Sequence, residues 1–500
     1  MLKHEVFNSK PYKTVVALAQ KEGLDLYLVG GFPRDLILGR RKASLDLDFS
    51  LASGAIHFGR KVAKVLRAGF VVLDKEHGCC RVVCKSGYLK QVLTFDFVDF
   101  RGKTLKEDLE KRDFTLNTLA IKVPFKKEGL LDYLKARRDM EKKLVRVVGA
   151  KSFDEDPLRI LRAFSLSAIF GFKITPTTMR LIEKKKELLK NVSGERIRDE
   201  LFKILAVEDA CQYIKLMDKF GVLKIVIPQI GLMHNVRQGG YHHLDVWGHS
   251  LETVKKLEEL LLKFSKDHEV GCYLNHVMAS DRTRRQLIKL AALLHDIGKP
   301  RAFEVKAGKT MFHGHERIGR IISDAVSANL KLSTKERFAM DTIIFWHLRP
   351  GYLADNKVLT KRAVFRYFRD TREEAVSVLL VSIADQRATR GPLATKASRL
   401  KHEKVSFALI KRYFEMLKEK PFVRLINGKD LIRNLKLKPG PLFSIILDAV
   451  EEAQAEGKVK IKQEALSLAK KVFQQQKKSY NLSGARPAAK AVRKSRISNP

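Results

Sequence analysis

Three aspartates behind a glycine turn are the residues of this chain whose types and spacing best suit chemistry. In LYLVGGFPRDLILGRRKASLDLDF the run LYLV reads as a buried strand, and Gly30-Gly31 lets the backbone turn tightly and approach a ligand closely. Arg34-Asp35 then opens a helix; a helix amino end and a guanidinium both favour phosphate. Asp46 and Asp48 fall on a second strand, whose alternation turns both carboxylates to one face and Leu47 and Phe49 to the other. Two such carboxylates repel unless a cation lies between them, and Mg²⁺ carrying substrate phosphates suits the pair. Asp96 in VLTFDFVDF is the third candidate, with Asp99 on the opposite face. Three carboxylates on adjacent strands could hold two metals about 3.5–4 Å apart, one activating an attacking hydroxyl and one the leaving phosphate. A bare Asp-x-Asp is common; the glycine turn and Arg34-Asp35 set this one apart.

Histidine is used locally. Ten of the 14 histidines lie between His234 and His347. ALLHDIGKP ends an apolar helix at His295-Asp296, with Gly298 and Pro300 as stop signals. His249 stands upstream, His313, His315 and His347 downstream, and Asp385 follows in SIADQRATR. Imidazole and carboxylate together suit Mn²⁺, Fe, Ni²⁺, Co²⁺ or Mg²⁺ better than a thiolate site would. Any one of these histidines by itself would ordinarily be a core residue.

The elements that must position these groups divide the chain. Five hundred residues exceed one compact core, so two to four domains are expected. The first 150 residues mix short β-type runs (26–30, 71–73, 81–84, 92–100) with helices. From about residue 154 the pattern is almost wholly helical, apolar residues recurring at i, i+3 and i+4. Residues 154–172, DEDPLRILRAFSLSAIFGF, read as one helix with Pro157 in its first turn, and SGERIRDELFKIL opens another. Gly231, Gly239 and Gly240 mark a linker, Gly391-Pro392 the return to basic helices, and LKLKPGPLF a turn. The resulting division is 1–150, 151–230, 231–392, 393–476 and a basic, disordered tail at 477–500, which carries seven Lys or Arg and no acid.

Lys and Arg number 97 against 56 Asp and Glu, a net charge of +41 that concentrates polyanions and binds phosphate backbones by counterion release. No apolar run approaches the roughly 18 residues that cross a membrane, and the amino terminus lacks a signal-peptide core. Five cysteines (Cys79, Cys80, Cys84, Cys211, Cys272), an odd number without paired Cys-x-x-Cys spacing, argue against a disulfide framework and a structural zinc site. A cytoplasmic location with reduced thiols is expected. Nothing in the sequence sets an oligomeric state.

Gly-Gly-x-x-Arg-Asp followed by the Asp-x-Asp strand resembles the class II tRNA nucleotidyltransferase and bacterial poly(A) polymerase family. KRDFTLNTLAI resembles its ribose-recognition motif, with Lys111 in place of the first Arg, and EDPLRILRAF its nucleobase-selection helix. VRLINGKDLIRNLKLKPGPLFSIILDAVEEAQAEGKV looks like the family's tRNA-binding tail, so the resemblance covers nearly the whole chain. It implies an α+β protein: a mixed-sheet nucleotidyltransferase head, an all-α neck, an HD domain and a helical body. The function it implies is addition of C and/or A residues to tRNA 3′ ends from CTP and ATP without a template, with Mg²⁺ in the head. Carried over, Arg112 contacts the nucleotide, and Asp113 and Asn117 read the ribose. Asp156 and Arg159 pair with the base edge, and Arg162 reaches the phosphates. Only RGKTLKEDLE stands between Phe100 and the ribose motif, where CCA-adding members carry a longer loop, so a CC-adding or A-adding enzyme stays open. So does a poly(A) polymerase.

The His-Asp pair with flanking histidines and a late Ala-Asp resembles the HD superfamily of metal phosphohydrolases. That match implies His249, His295, Asp296 and Asp385 as ligands of a divalent transition metal or Mg²⁺, with His315 and His347 extending the site. It also implies hydrolysis of phosphomonoesters or 2′,3′-cyclic phosphates. A different class of reading makes this hydrolase the main activity and the head an RNA-binding module.

Overall fold

The structure, a computed structural model, describes residues 4–40, 45–86, 91–125, 129–420 and 422–482. The chain forms two compact units, one of Met1–His234 with Asn275–Leu290 and Asp324–Arg337, the other of Asn235–Leu274, Ala291–Ser323 and Phe338–Pro500.

The first unit is built on a seven-stranded sheet. Its strands are β1 (Leu26–Val29), β2 (Leu45–Leu51), β3 (Gly69–Asp74), β4 (Cys79–Ser86), β5 (Gln91–Asp99), β6 (Ala120–Val123) and β7 (Leu130–Leu131), in the order β3-β4-β5-β2-β1-β6-β7. Only β2 and β5 run parallel; the other neighbours are antiparallel. The expected runs become β1, β3, β4 and β5, whereas β6 begins in the last two residues of the segment read as a ribose motif. Along β2, Leu45, Leu47 and Phe49 are buried while Asp46 is exposed and Asp48 half-buried. The buried face packs with Tyr12, Val15, Phe58 and Val62 of helices Lys10–Lys21 and Ala55–Leu66. Phe49 stacks on Phe97 at 5.3 Å between ring centroids, and Phe58 meets Phe97 edge-on at 5.3 Å. Each such ring contributes about 1.5–3 kcal/mol by leaving water, which fixes the sheet's apolar face and leaves the acidic one open.

The neck helices Arg159–Phe170, Pro176–Lys185, Gly194–Ala206 and Ala210–Lys219 follow. Residues 154–172 are not one helix, contrary to the periodic reading. A short turn, Ser152–Glu155, ends at Asp156, whose backbone is extended (φ −147°, ψ 99°), and the long helix begins only at Arg159. Pro157 is the reason: its ring disfavours helical backbone at the residue before it.

In the second unit, helices Val246–Lys263 and Ala375–Ala388 pack together. Ala375–Ala388 is buried nearly all round, as a central helix must be, and carries Asp385 in its last turn. Helices Gly428–Leu435, Pro441–Ala455 and Lys462–Leu482 close a separate core around Leu431, Ile446, Val450 and Ala465. The last helix thus continues through 482; the rest of the basic tail, 483–500, lies outside the described residues. Among the described residues, no helix is long and apolar enough to cross a membrane, and all five cysteines are free.

Candidate functional site

Strand pairing assembles the acidic row. Asp48 on β2 lies opposite Asp96 on β5, with Asp46 two residues back on the same face, opposite Thr94. Next along the row, Arg81 on β4 lies opposite Asp96. Its Nε donates to Asp96 Oδ1 at 2.8 Å and its Nη2 to Oδ2 at 2.7 Å. Burial, with Asp96 and Asp46 nearby, outweighs the Arg112 and Arg81 charges and pushes the Asp48 carboxyl up to about 6. A carboxyl so raised is one that a cation would restore to its charged form.

On the β1 side of this row lies a cavity of about 330 Å³, within the roughly 300–1,000 Å³ common for small-molecule sites. Gly30 (φ 75°) caps helix Gly31–Ile37 and brings the backbone against Asp48. Gly30, Gly31, Arg34, Asp48, Arg112, Asp113, Asn117 and Arg162 all line the cavity. A chain of bonds runs beneath it. Arg34 Nη1 donates to Asn117 Oδ1 at 2.5 Å, and Asn117 Nδ2 donates to Asp113 Oδ1 at 2.9 Å. Arg162 donates to Asp113 Oδ2 from Nε and Nη2, at 2.9 and 2.8 Å. Burial opposes ionisation of Asp113, but Arg162, Asn117 and the Phe114 amide hold its carboxyl below the ordinary value. Arg112 Nη2 is fastened to Ser50 Oγ (3.3 Å) and Asp108 Oδ2 (3.2 Å). These bonds lock side chains that would otherwise lose rotamer entropy on binding an anion.

Sequence reasoning missed Ser165, Glu200 and Lys203, which also line the cavity. Ser165 Oγ donates to Glu200, Lys203 Nζ sits 2.8 Å from Glu200 Oε1, and Arg162 Nη1 3.8 Å from the same oxygen. The signal was present in SGERIRDELFKIL, where Glu200 and Lys203 are one turn apart, but such spacing is common on solvated helices. Four cations and three carboxylates therefore line this cavity.

Asp46, Asp96, Asp156 and Arg159 do not line it. Asp156 Oδ2 pairs with Arg196 Nη2 at 2.9 Å. Arg159 Nη1 binds Ser152 Oγ (2.9 Å) and Glu155 Oε2 (3.1 Å), and its Nη2 binds the Lys111 carbonyl (3.0 Å).

In the second unit, His249, His295, Asp296, His315, His347 and Asp385 converge, in overlapping triplets whose ligand atoms lie within 4.8 Å of one another. His249 Nε2 is 2.9 Å from Asp385 Oδ1. His295 Nε2 is 3.1 Å from Asp296 Oδ2, and His315 Nε2 3.3 Å from its Oδ1. The residues fit a metal on tautomer grounds. Nδ1 of His295, His315 and His347 lies 2.8, 2.8 and 2.7 Å from the carbonyls of Ala292, Phe312 and Ile344. A carbonyl only accepts, so each Nδ1 carries a proton and each Nε2 is the nitrogen that would bind a metal. Without one, burial opposes the charged form of His295, but the Asp296 carboxylate beside it outweighs burial and holds that imidazole above its ordinary value. Those three Nε2 atoms are buried, and none makes a hydrogen bond of good geometry; only the Asp296 oxygens approach those of His295 and His315. Burial pushes His347 down to about 3, keeping it neutral as a ligand must be. Burial also opposes ionisation of Asp296, but His295 and Lys299 hold its carboxyl well below the usual range. Lys299, which sequence reasoning passed over, lies 2.7 Å from Asp296 Oδ2 and 2.6 Å from Gln238 Oε1.

Comparison with known proteins covers most of the chain. The poly(A) polymerase head domain matches residues 26–146, the RNA- and SrmB-binding region of polymerase A 171–233, the HD domain 246–390 and the second tRNA nucleotidyltransferase domain 393–469. The A-adding tRNA nucleotidyltransferase of Deinococcus radiodurans is 30% identical over 450 residues, 88% of this chain and 93% of that protein. The CC-adding tRNA nucleotidyltransferase of Thermus thermophilus is 29% identical over 450 residues, 88% of this chain and 92% of that protein. A CCA-adding enzyme solved with ATP superposes with a TM-score of 0.61 at 21% identity, covering 97% of this chain and 96% of that one. The Thermotoga maritima CCA-adding enzyme with tRNA gives 0.59 at 22% identity, covering 93% and 96%. These two structures share the fold of this chain.

Proposed function

This chain belongs to the tRNA nucleotidyltransferase family, and we propose that it adds C and/or A residues to tRNA 3′ ends from CTP and ATP without a nucleic-acid template. The observation that carries this reading is the acidic row at the edge of a cavity lined by Arg34, Arg112, Arg162 and Lys203. Those four cations would bind and orient the triphosphate. Asp113 and Asn117 hold Arg34 and Arg162 in place and meet the ribose. Asp46 and Asp48 would hold Mg²⁺, which when bound neutralises the triphosphate and activates the terminal hydroxyl of the RNA.

Asp156 and Arg159 are the base readers in this proposal, which requires each to leave its present partner. The partner of Asp156 is weakly held: the Arg196 side chain is 52% exposed, and pairs of that kind are worth about 0–1 kcal/mol. Arg159, only 11% exposed, must also give up its bonds to Ser152 and the Lys111 carbonyl. A base-edge contact contributes about 1–3 kcal/mol of discrimination, comparable to or above the exposed Asp156–Arg196 pair it would replace. Relatives that add CC and relatives that add A resemble this chain almost equally, and a poly(A) polymerase would use the same head.

Incubating the pure protein with tRNA lacking its 3′ end, and each nucleotide separately, tests the reading. Asp46→Ala or Asp48→Ala should abolish incorporation while tRNA affinity, spread over many basic contacts, stays nearly intact. Near-normal incorporation by either variant would overturn the metal assignment.

The HD cluster supports a second activity in the same protein. His249, His295, Asp296 and Asp385, with His315 and His347, would hold a divalent transition metal or Mg²⁺, which when bound supplies an activated water for hydrolysis of phosphomonoesters or 2′,3′-cyclic phosphates. The tRNA substrate and free thiols support a cytoplasmic location.

A further inference from the structure

β2 faces two different surroundings. Towards β1 lies the cation-lined cavity; towards β5 the row continues through Asp96 to Arg81. The pair with Asp96 is bidentate, using two of the five N–H donors of a guanidinium. The Arg81 side chain is nevertheless 44% exposed, against 18% for Asp96. A cation whose head is anchored by a carboxylate and whose remaining donors face water is poised for a second anion.

We propose that Arg81, held by Asp96, clamps the terminal phosphodiester of the RNA acceptor, and that Asp96 is a positioning residue acting through Arg81 rather than a metal ligand. This rests on the nucleotidyl-transfer reading above. In phosphoryl transfer the attacking and leaving oxygens lie roughly in line across the phosphorus. With the triphosphate in the cavity, which Asp48 lines and Asp96 and Arg81 do not, we place the attacking hydroxyl across Asp48, on the β5 and β4 side. There an RNA end meets Asp46, Asp48 and Asp96, which repel its phosphates, and Arg81 is the cation placed among them. Both Asp96 oxygens are engaged by Arg81, which leaves Asp46 and Asp48 for the metal.

The experiment compares Arg81→Met, Arg81→Lys, Asp96→Asn and the Arg81→Met/Asp96→Asn double variant with the unmodified protein. Steady-state incorporation is measured while tRNA, CTP and Mg²⁺ are varied in turn. Expected for Arg81→Met is a rise in KM for tRNA of about tenfold, the size of one good charge-assisted contact. KM for CTP and the Mg²⁺ half-saturation should stay within about twofold, and the salt dependence of tRNA binding should lose about one phosphate contact. Asp96→Asn should reproduce these effects, the double variant should be no worse than either single one, and Arg81→Lys should restore part of the loss. An Mg²⁺ half-saturation raised in Asp96→Asn but not in Arg81→Met would make Asp96 a ligand and overturn the proposal. So would an unchanged KM for tRNA in Arg81→Met, or a lowered melting temperature with every kinetic constant intact. Incorporation by the unmodified protein establishes the underlying reading independently. If it adds nothing, fluorescence anisotropy of a labelled acceptor hairpin still reads the clamp: weaker binding by Arg81→Met supports it, equal binding sinks it.

Discussion

Gly30 and Asp48 share one space: a Cβ on Gly30 would lie 2.5 Å from Asp48 Oδ2. With φ at 75° and ψ at −136°, Gly30 also occupies backbone territory that side chains rarely enter. The glycine turn and the carboxylate are therefore one device. Gly30→Ala should cost about 1–3 kcal/mol in backbone strain and displace Asp48, so activity should fall by far more than the melting temperature implies. Equal kcat in a folded Gly30→Ala protein would show that the close approach is dispensable.

Asp48 sets a pH dependence. Its carboxyl is raised from the ordinary 3.8 to about 6, so between those values the folded protein binds a proton that the unfolded chain does not. Without Mg²⁺, stability should then fall as pH rises from about 4 to about 6 and level off above. Bound Mg²⁺ favours the carboxylate, so the melting-temperature gain from Mg²⁺ should grow across the same interval and be lost in Asp48→Asn. Thermal scans with Mg²⁺ or EDTA at pH 5 and 7.5 check this; a gain that shrinks with pH contradicts the assignment.

Arg159→Ala should relax discrimination between CTP or ATP and UTP or GTP by roughly 5- to 150-fold, as expected for losing about 1–3 kcal/mol of base-edge contact. Relative kcat/KM values for the four nucleotides measure it. Slower addition with unchanged preference would leave Arg159 only its bonds to Ser152, Glu155 and the Lys111 carbonyl.

The carboxylate row and the histidine cluster lie in different compact units. His295→Ala with Asp296→Ala should eliminate metal-dependent hydrolysis of a 2′,3′-cyclic phosphate and leave CTP incorporation essentially unchanged. Loss of incorporation in a folded double variant would sink the independence of the two sites. No hydrolysis by the unmodified protein with any divalent metal would leave the cluster a packing role.

The alternation of β2, the glycine turn before the helix, and the order of motifs from Gly30 to Arg162 were legible in the sequence, because strand period and turn chemistry are local properties of neighbouring residues. The same holds for the histidines gathered between His234 and His347. Partners were not legible. That Asp96 faces Arg81 rather than only Asp46 and Asp48 depends on the register of β4 against β5, and the pairing of Asp156 with Arg196 on how helix Gly194–Ala206 packs against an extended residue 40 positions earlier. Pro157 was visible, but its effect on Asp156 competes with a helical periodicity that runs straight through it. His249 and Asp385, 136 residues apart, meet because two helices pack, and only the backbone carbonyls that hold each Nδ1 turn Nε2 of His295, His315 and His347 inward. Sequence spacing dictates which face of an element a side chain takes; what stands opposite that face is decided by register and packing, which only the folded chain establishes.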